Sequence, residues 1–328
     1  MPTVSVIIPN YNHARFLRQR IESVMGQTYR DFEVILLDDC STDESRSIIT
    51  EYAKDPKVRI EFNEVNSGST FKQWNKGIRL ARGEYIWVAE SDDYADDRFL
   101  GRLVSVLDAE PEAAFAYCRS WRIAQDGQRD GFADWYLADL DPQRWTADFR
   151  ADGREECQNW FVYANSVPNA SAVVFRKSVY ERVGGADERL RVCGDWKLWV
   201  SMAFEGRIAY VSEPLNYYRD HGATVRMKMI ETGRGAGEHL AMVRWMLERV
   251  TPTQAILDKA YFSAALLWVP PVLNRRVPFG VRRALLRDAI ATDPHAMRRL
   301  IRPALAMVRL KAVKEFRLLR QRLEGRAS

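Results

Sequence analysis

The chain has 328 residues, of which 47% are apolar and 28% are charged. A chain of this length and composition can fill one large or two ordinary hydrophobic cores, which excludes disordered and fibrous proteins. The longest apolar run, 264–269, stops at Pro270 and Pro271, so we expect no helix that spans a membrane. The first ten residues do not resemble a secretory signal, and we expect a cytoplasmic protein. The four cysteines lie far apart without a Cys-x-x-Cys pair, which indicates reduced thiols.

The two parts of the chain carry opposite net charges. Residues 226–328 contain 21 lysines and arginines against 8 acidic residues, a net charge of +13. Residues 1–225 contain 28 against 36, a net charge of −8. This asymmetry predicts two regions with different roles. The acidic part suits a divalent metal ion, and the basic part suits an anionic surface such as lipid headgroups or nucleic acid.

The first 90 residues alternate between short buried strands and amphipathic helices. Runs of β-branched and other apolar residues predict strands at 4–8, 33–37, 58–62 and 85–89. The helical spacing of apolar residues predicts helices at 13–26, 41–52 and 71–81. This alternation is typical of an α/β sheet, and several strands run directly into polar or acidic residues. Ligands bind at such strand ends in open α/β sheets.

The rest of the chain has a mixed pattern that becomes helical. We predict a helix at 96–110, strands at 114–117 and 171–176, and helices at 178–183 and 195–204. Residues 124–159 lack clear periodicity and are predicted to be loops or an insertion. Beyond Arg226 the pattern is helical to the end, with prolines at intervals. We therefore predict two domains, at 1–225 and 226–328.

Several common site motifs are absent from the sequence. No Gly-x-Gly-x-x-Gly follows the first strand and no Gly-x-x-x-x-Gly-Lys occurs, which argues against dinucleotide-binding dehydrogenases and P-loop proteins. There is no Gly-x-Ser-x-Gly elbow and no His-x-x-x-His spacing. Hydrolase and zinc-protease functions therefore lack support.

Acidic residues cluster at three predicted element ends. Asp38 and Asp39 follow the second strand, 90–93 (ESDD) follows the fourth, and Asp195 opens a later helix. Carboxylate oxygens are hard ligands that favour Mg2+ or Mn2+. Such an ion is commonly held by one or two carboxylates together with substrate phosphates, which fits a nucleoside-diphosphate ligand. His221 could add a nitrogen ligand and favour manganese.

A series of short motifs runs along the chain: 4–12 (VSVIIPNYN), 37–43 (LDDCSTD), 66–68 (NSG), 75–77 (NKG), 81–86 (ARGEYI), 90–93 (ESDD), 178–190, 194–199 (GDWKLW) and 217–221 (YYRDH). In this order the motifs resemble those of glycosyltransferase family 2, whose members are inverting enzymes with the GT-A fold. The resemblance covers about residues 3–224. It implies a Rossmann-like mixed α/β sheet flanked by helices, followed by a mainly helical C-terminal extension.

The resemblance also implies which residues bind the nucleotide. Pro9, Tyr11 and Asp39 would line the nucleobase and ribose pocket. Tyr11 would pack on the base, and Asp39 would accept hydrogen bonds from it. A hydrogen-bond acceptor at Asp39 favours uracil or thymine as the nucleobase of the donor, with guanine as an alternative.

The remaining implied roles concern the metal ion and the reaction. Asp92, with His221 and Asp93, would hold Mn2+ or Mg2+ against the donor diphosphate. Asp195 would be the general base that takes a proton from the acceptor hydroxyl. The implied function is metal-dependent, inverting transfer of a sugar from a UDP- or dTDP-sugar. The acceptor hydroxyl would belong to a surface polysaccharide, a glycolipid or a glycoprotein.

Three positions depart from the family pattern. Glu90 replaces the first Asp of the metal motif, Gly194 replaces the Glu that precedes the base, and Ala186 replaces an aromatic residue. The missing carboxylate at 194 keeps a second hypothesis open. In that hypothesis a degenerate transferase fold binds a nucleotide sugar or scaffolds a membrane complex without catalysis.

The tryptophans have two predicted uses. Trp196 and Trp199 stand at helical spacing and are predicted to pack in the core. Four others lie in or near the poorly patterned middle of the chain: Trp121, Trp135, Trp145 and Trp160. We predict packing for most of them, and stacking against sugars stays open as an alternative.

The basic C-terminal tail forms a second candidate surface. Residues 302–323 place apolar side chains near one face of a helix and basic side chains largely on the others. Such a helix suits contact with anionic lipids at the inner face of the cell membrane, or packing on the catalytic domain or in an oligomer. Nucleic-acid binding is disfavoured because no recognised RNA- or DNA-binding motif is present.

Overall fold

The computed structural model describes residues 1–220, 234–273, 277–292 and 298–300. The chain divides into two compact units. One comprises residues 1–161 and 165–224, and the other comprises residues 162–164 and 225–328. His221 and the tail at 302–323, both singled out by their sequence, lie outside the described residues.

The first unit begins with the alternation that the apolar runs predict. Its elements are, in order, β1 (Val4–Asn10), α1 (Ala14–Met25), β2 (Phe32–Asp38), α2 (Ser45–Thr50), β3 (Val58–Phe62), α3 (Thr70–Leu80) and β4 (Tyr85–Val88). Each of the four predicted strands is observed within two residues of its predicted ends. Every residue of β1, β2 and β4 is buried, which explains why continuous apolar runs identify them.

The order of these strands places a topological switch point beside β1. β2 and β3 follow β1 on one side, and β4 lies parallel to β1 on the other, so ligands are expected at the switch point between β1 and β4. Pairing of β1 with β2 continues to Asn10, whereas pairing with β4 ends at Ile7. Ile7 O accepts a hydrogen bond from Ala89 N at 2.8 Å, just after β4. Two residues later the backbone nitrogen of Pro9 points to the same side of β1. Pro9 has no backbone N–H to continue this ladder, and the two strands separate here.

The second half of the first unit completes a ten-stranded mixed sheet. Its elements are β5 (Tyr94–Ala95), α4 (Phe99–Ala109), β6 (Ala113–Ile123), β7 (Arg129–Phe132), β8 (Phe149–Asp152), α5 (Gly153–Glu156), β9 (Val173–Arg176), α6 (Lys177–Arg182), α7 (Gly194–Ala203) and β10 (Arg207–Arg219). The strand order is β3-β2-β1-β4-β9-β6-β10-β5, with β7 on β6 and β8 on β10. β9 runs antiparallel to both of its neighbours. The predicted α/β class, a mixed sheet flanked by helices, is confirmed.

Several strands depart from the sequence prediction, among them β7, β8 and β10. β7 and β8 lie within 124–159, which is predicted to be loops or an insertion. Their residues are exposed or half-buried, so they lack the apolar alternation that identifies a strand. β10 is 13 residues long, but Pro214 and an irregular register between Val211 and Asn216 interrupt its period-two pattern.

Trp196 and Trp199 pack in the core, as predicted. Both lie on α7 and are at most 3% exposed, and Trp196 Nε1 donates to Phe161 O at 3.1 Å. All four cysteines are free, which agrees with the prediction of reduced thiols.

The second unit contains the described helices α8 (Arg234–Leu247), α9 (Gln254–Leu273) and α10 (Phe279–Thr292). Helix α9 continues through Pro270 and Pro271 to Leu273, beyond the apolar run 264–269 on which the expectation of no membrane-spanning helix rests. Proline fixes φ at about −65°, a value that a helix accommodates, although it donates no backbone hydrogen bond. Within the described ranges, α9 alone has the length and apolar composition to cross a membrane. An 18-residue segment of this helix has a mean hydropathy of 1.3, and 39% of that segment is buried inside the protein.

Candidate active site

Hydrogen bonds join the loops that follow β1, β2 and β4 into one surface. Ser41 Oγ accepts from Asn12 N at 2.9 Å, and Asn12 Oδ1 accepts from Thr42 N at 2.8 Å. His13 Nδ1 and Ser91 Oγ are hydrogen-bonded at 2.9 Å, which links the first loop to the third. The carboxyl ends of the three strands therefore present a single connected set of side chains.

Asn12 and Cys40 give this surface its sharp turns. Their φ angles are 56° and 65°, and they are the non-glycine residues with positive φ among those that the structure describes. A left-handed backbone at such residues costs about 1–3 kcal/mol and is concentrated at functional sites. Asn12 lies two residues after the end of β1, and Cys40 lies two residues after the end of β2.

The adjacent residues Asp38 and Asp39 have different surroundings. Asp38 is fully buried and accepts hydrogen bonds from Asn10 Nδ2 (3.1 Å), Ser41 N (3.0 Å) and Arg46 Nε (3.0 Å). These contacts tie the end of β1 to the end of β2. Asp38 therefore has a structural role.

Asp39 is held by donors from two other segments. Its carboxylate accepts from Asn63 Nδ2 (2.6 Å), Ser67 N (2.8 Å), Ser67 Oγ (2.7 Å) and Gln73 Nε2 (2.9 Å). The donors come from the loop after β3 and from α3, and Asp39 is only 4% exposed. The orientation of this carboxylate is thus fixed before any ligand binds.

Pro9 and Tyr11 lie at the end of β1, beside Asp39 at the end of β2. Pro9 is buried, whereas the Tyr11 side chain is 46% exposed. An exposed flat ring and a fixed carboxylate are groups that stack on a nucleobase and accept its N–H donors. The structure brings these three residues to one edge of the sheet, and their nucleotide-binding role stays a prediction.

Glu90 begins the acidic turn after β4. Its Oε1 accepts from Trp74 Nε1 at 2.6 Å, and its backbone carbonyl accepts from Arg20 Nε at 2.8 Å. Although the residue as a whole is half-buried, burial of the carboxyl group and the nearby charge of Asp92 raise the pKa of Glu90 to about 8. Glu90 is therefore largely protonated at neutral pH.

Asp93 faces two arginines. It is 3% exposed, its Oδ1 accepts from Arg219 N at 2.9 Å, and Arg20 Nη2 lies 4.0 Å from its Oδ2. Burial raises the pKa of Asp93, while the charge of Arg20 opposes that shift. Arg219 reaches the acidic turn because β5 pairs with β10, where the rings of Tyr94 and Tyr217 stack with centroids 4.3 Å apart. The Asp93 carboxylate is thus engaged by the protein itself, and its role as a metal ligand stays a prediction.

Asp92 is the half-buried acid of this turn, and its backbone carbonyl accepts from Arg219 Nε at 2.9 Å. The negative charge of Asp92 raises the pKa of both Glu90 and Asp93. A divalent cation would compensate this charge, and carboxylate oxygens are its usual ligands, so the residues fit a cation with Asp92 as the leading ligand. Among the described residues, which do not include His221, no three His, Cys, Asp or Glu side chains are grouped to hold a metal ion. A cation here would need further ligands.

Asp195 lies in the first turn of α7 and is half-buried. Its Oδ1 accepts from Trp196 N at 2.7 Å, and its Oδ2 accepts from Asn165 Nδ2 at 3.1 Å. The N-terminus of a helix favours a negative charge, which suits an ionised carboxylate. The position is compatible with a general base, and that role stays a prediction.

Gly194 has no room for the glutamate that the family pattern places there. A Cβ atom at this position would lie 2.3 Å from Phe71 Cε2. The Phe71 ring is 4% exposed and packs edge-on against Trp74, with centroids 5.1 Å apart. Trp74 in turn donates to Glu90. The two departures from the family pattern that concern carboxylates, at 90 and 194, are therefore joined through one pair of aromatic rings.

A second contact connects the start of α7 to the loop after β3. Arg191, just before the helix, donates from Nη1 to Gly68 O at 2.7 Å. In the same loop, Asn66 Nδ2 donates to Asp39 O at 2.9 Å. The segment that carries Asp195 thus reaches the loop that supports Asp39.

Two of the residues that build this site are not recognised from the sequence alone. Arg20 stands on the apolar face of α1 with Leu17 and Val24, and a charged residue at such a position is itself a signal of a buried ion pair. Asn165 gives no signal, because its contact with Asp195 joins segments 30 residues apart.

The raised pKa of Glu90 predicts how stability depends on pH. The pKa rises from the ordinary 4.5 to about 8, so the folded protein keeps a proton that the unfolded chain releases. This contribution to stability is present below about pH 4.5 and is lost as the pH rises to about 8. We expect Glu90→Gln to flatten the loss of unfolding free energy between these pH values, measured by denaturant titration without metal. Equal pH slopes in the variant and the wild type would contradict the assignment.

Similar proteins place this geometry in a family. The model of glycosyl transferase family 2 matches residues 5–184, which is more than half of the chain. An uncharacterized glycosyltransferase from Nostoc sp. is 30% identical over 226 residues, which are 68% of this chain and 66% of that protein. The chain spans between 14% and 66% of the length of the first curated relatives that it matches.

Solved structures share the fold at low sequence identity. A Staphylococcus aureus TarS structure in complex with UDP-GlcNAc superposes with a TM-score of 0.68 at 16% identity, covering 92% of this chain and 89% of that one. The mannosyltransferase PcManGT from Pyrobaculum calidifontis, in complex with GDP-Man and Mn2+, gives 0.58 at 17% identity, covering 96% and 81%. These likenesses agree with the predicted GT-A fold. Because the family model matches more than half of the chain, the chain belongs to glycosyl transferase family 2.

Proposed function

We propose that the chain is a metal-dependent, inverting glycosyltransferase that moves a sugar from a nucleoside-diphosphate donor to an acceptor hydroxyl. One observation carries the proposal. The helix that bears Asp195 is joined to the acidic turn through Phe71 and Trp74, and to the Asp39 loop through Arg191. A candidate base, a candidate cation site and a candidate nucleobase site therefore belong to one connected structure.

On the donor side, Tyr11 would stack on the base, while Asp39 would accept its N–H and Pro9 would line the pocket. Asp92 would be the leading ligand of Mn2+ or Mg2+, with His221 and the donor phosphates as further ligands. When bound, such a cation neutralises the charge that develops on the departing nucleoside diphosphate. The bound GDP-Man and Mn2+ of PcManGT and the UDP-GlcNAc of TarS support this donor class.

On the acceptor side, Asp195 would take the proton of the acceptor hydroxyl. The acceptor oxygen attacks the anomeric carbon as the bond from that carbon to the diphosphate oxygen breaks. The attack comes from the face opposite the leaving group, so the configuration at the anomeric carbon inverts. The proton stays on the Asp195 carboxyl group, and the nucleoside diphosphate leaves with the electron pair.

Asp195→Asn tests the base directly. We expect turnover to fall about 10²- to 10⁴-fold because an amide cannot accept the proton, while nucleotide binding stays close to wild type. Asp55→Asn is a matched control, since Asp55 lies before β3 at the opposite end of the parallel strands and accepts from Lys57 N. Transfer assays and calorimetry with nucleotide measure the two effects. Wild-type turnover in Asp195→Asn would contradict the proposal.

Trp135 supports a saccharide acceptor. It is 66% exposed, whereas Trp145 is 4% exposed and Trp121 stacks on Phe132 with centroids 4.2 Å apart. The prediction of packing is thus confirmed for Trp121 and Trp145 and not for Trp135. The neighbouring Tyr136 donates to Asn165 O, and Asn165 donates to Asp195, so the exposed ring belongs to the same chain of contacts as the base.

Trp135→Ala tests this acceptor surface. If stacking on a sugar face contributes as much as an aromatic pair does, about 0.5–1.5 kcal/mol, the acceptor KM should rise about 2- to 10-fold. The kcat and the nucleotide affinity should stay unchanged. Trp135→Phe, which keeps an aromatic ring, should have an acceptor KM close to that of the wild type. An unchanged acceptor KM in Trp135→Ala would contradict a stacking role.

Membrane contact is a proposal for the second unit. Leu273 at the end of α9 and Phe279 at the start of α10 are 63% and 71% exposed, and Val281 is 39% exposed. Arg282 and Arg283 follow directly, in a region whose net charge is +13. Exposed apolar side chains next to basic residues suit the surface of an anionic membrane, where a lipid-linked acceptor would be reached.

Vesicle flotation tests the membrane contact. We expect the protein to float with anionic vesicles and not with zwitterionic ones, and the double variant Leu273→Ser, Phe279→Ser to float less. Val65→Ser is a matched control, because Val65 is 78% exposed in the first unit. Failure of the wild type to float with anionic vesicles would remove the proposal.

Gly194 is the observation that favours a second function, a nucleotide-sugar-binding or scaffold protein without catalysis. In that case the wild type would bind nucleotide and show no transfer to any acceptor. The retained Asp92 and Asp195 favour the enzyme, whereas Asp39 would serve either function.

A further inference from the structure

We propose that Asn165 is a positioning residue for Asp195, supplying from outside the helix the neighbour that the family pattern places at 194. The inference rests on the proposed role of Asp195 as the base. It concerns how that base is oriented and how readily it ionises, which neither the family pattern nor the sequence indicates.

The amide of Asn165 is itself fixed in orientation. Its Oδ1 accepts from Val167 N at 3.2 Å, which turns Nδ2 towards Asp195 Oδ2 at 3.1 Å. The backbone carbonyl of Asn165 also accepts from the Tyr136 hydroxyl. Ser166 and Val167, which follow it, are fully buried and anchor the segment. An Asn165 amide held by these contacts can keep the Asp195 carboxylate in one rotamer.

Phe71 explains why this neighbour comes from another segment. A Cβ at Gly194 would lie within 2.3 to 2.8 Å of three Phe71 ring carbons, and that ring is buried against Trp74. Position 194 therefore admits no side chain without displacement of the aromatic pair that holds Glu90. Asn165 approaches Asp195 from outside α7 and avoids this conflict.

The chemical effect of Asn165 differs from that of a second carboxylate. A neutral N–H donor stabilises the ionised form of Asp195, whereas a neighbouring glutamate would favour its protonated form. The base in this chain should therefore remain ionised to lower pH than it would beside a second acid. The orientation of the free lone pairs towards the acceptor hydroxyl would follow from the same hydrogen bond.

Several charged groups on and around α7 form ion pairs with one another. Lys197 on α7 pairs with Asp187 at 2.7 Å, Glu156 on α5 pairs with Arg144, and Arg182 on α6 pairs with Glu205 at 3.4 Å. Arg191, before α7, donates to Gly68 O. Asn165→Asp would place a negative charge within hydrogen-bonding distance of the Asp195 carboxylate.

Two substitutions at 165 test the inference through different readouts. Asn165→Ala should lower kcat about 10-fold or more with the nucleotide affinity unchanged, because the base loses its orienting donor. Asn165→Asp keeps the acceptor for Val167 N and places a like charge beside Asp195. We expect it to shift the acidic limb of the pH profile of kcat/KM upward by about one unit or more. Asn159→Asp adds the same charge to a half-buried position nearby in the chain and should not shift the limb.

The outcomes separate this inference from the proposed function. An inactive Asp195→Asn with wild-type kcat in Asn165→Ala, or with an unmoved acidic limb in Asn165→Asp, would overturn the role of Asn165 alone. A fully active Asp195→Asn would overturn the base itself. Thermal unfolding of each variant reports on folding, and the shift of the pH limb in a folded Asn165→Asp would not follow from a merely structural role.

Discussion

The crowding of three acidic residues at the end of β4 constrains the structure around it. Glu90, Asp92 and Asp93 would repel one another if all were ionised, and the raised pKa values of Glu90 and Asp93 express that cost. Arg20 lies behind the turn, fully buried, and holds the Glu90 carbonyl. Within the described residues its Nη1 and Nη2 have no hydrogen-bond partner, so it stabilises the turn chiefly through its charge.

One pair of aromatic rings explains why positions 90 and 194 both differ from the family pattern. Phe71 occupies the space that a side chain at 194 would need, and the neighbouring Trp74 donates to the longer carboxylate of Glu90. The absence of a carboxylate beside Asp195 and the protonation of Glu90 near Asp92 both lower the negative charge of the site. The site is therefore less acidic than the count of its carboxylates indicates.

Much of the parallel half of the sheet could be predicted from the sequence, because β1, β2 and β4 are buried along their whole length and leave continuous apolar runs. β10 could not, since Pro214 and a shifted register interrupt its alternation. The motifs place Asp39, Asp92 and Asp195 in one fold, but sequence adjacency hides that Asp38 is structural and that Asp93 faces Arg20. Asn165 becomes visible only when tertiary contacts bring its amide to Asp195.

Calorimetry of the purified protein with UDP, dTDP and GDP, each with manganese and with EDTA, would show whether a metal-assisted donor site exists at the ends of these strands. We expect that one nucleotide binds, that EDTA weakens the binding, and that Asp92→Ala abolishes the dependence on metal. Absence of binding by all three nucleotides, or binding that is the same with manganese and with EDTA, would contradict a metal-assisted donor site at this edge of the sheet.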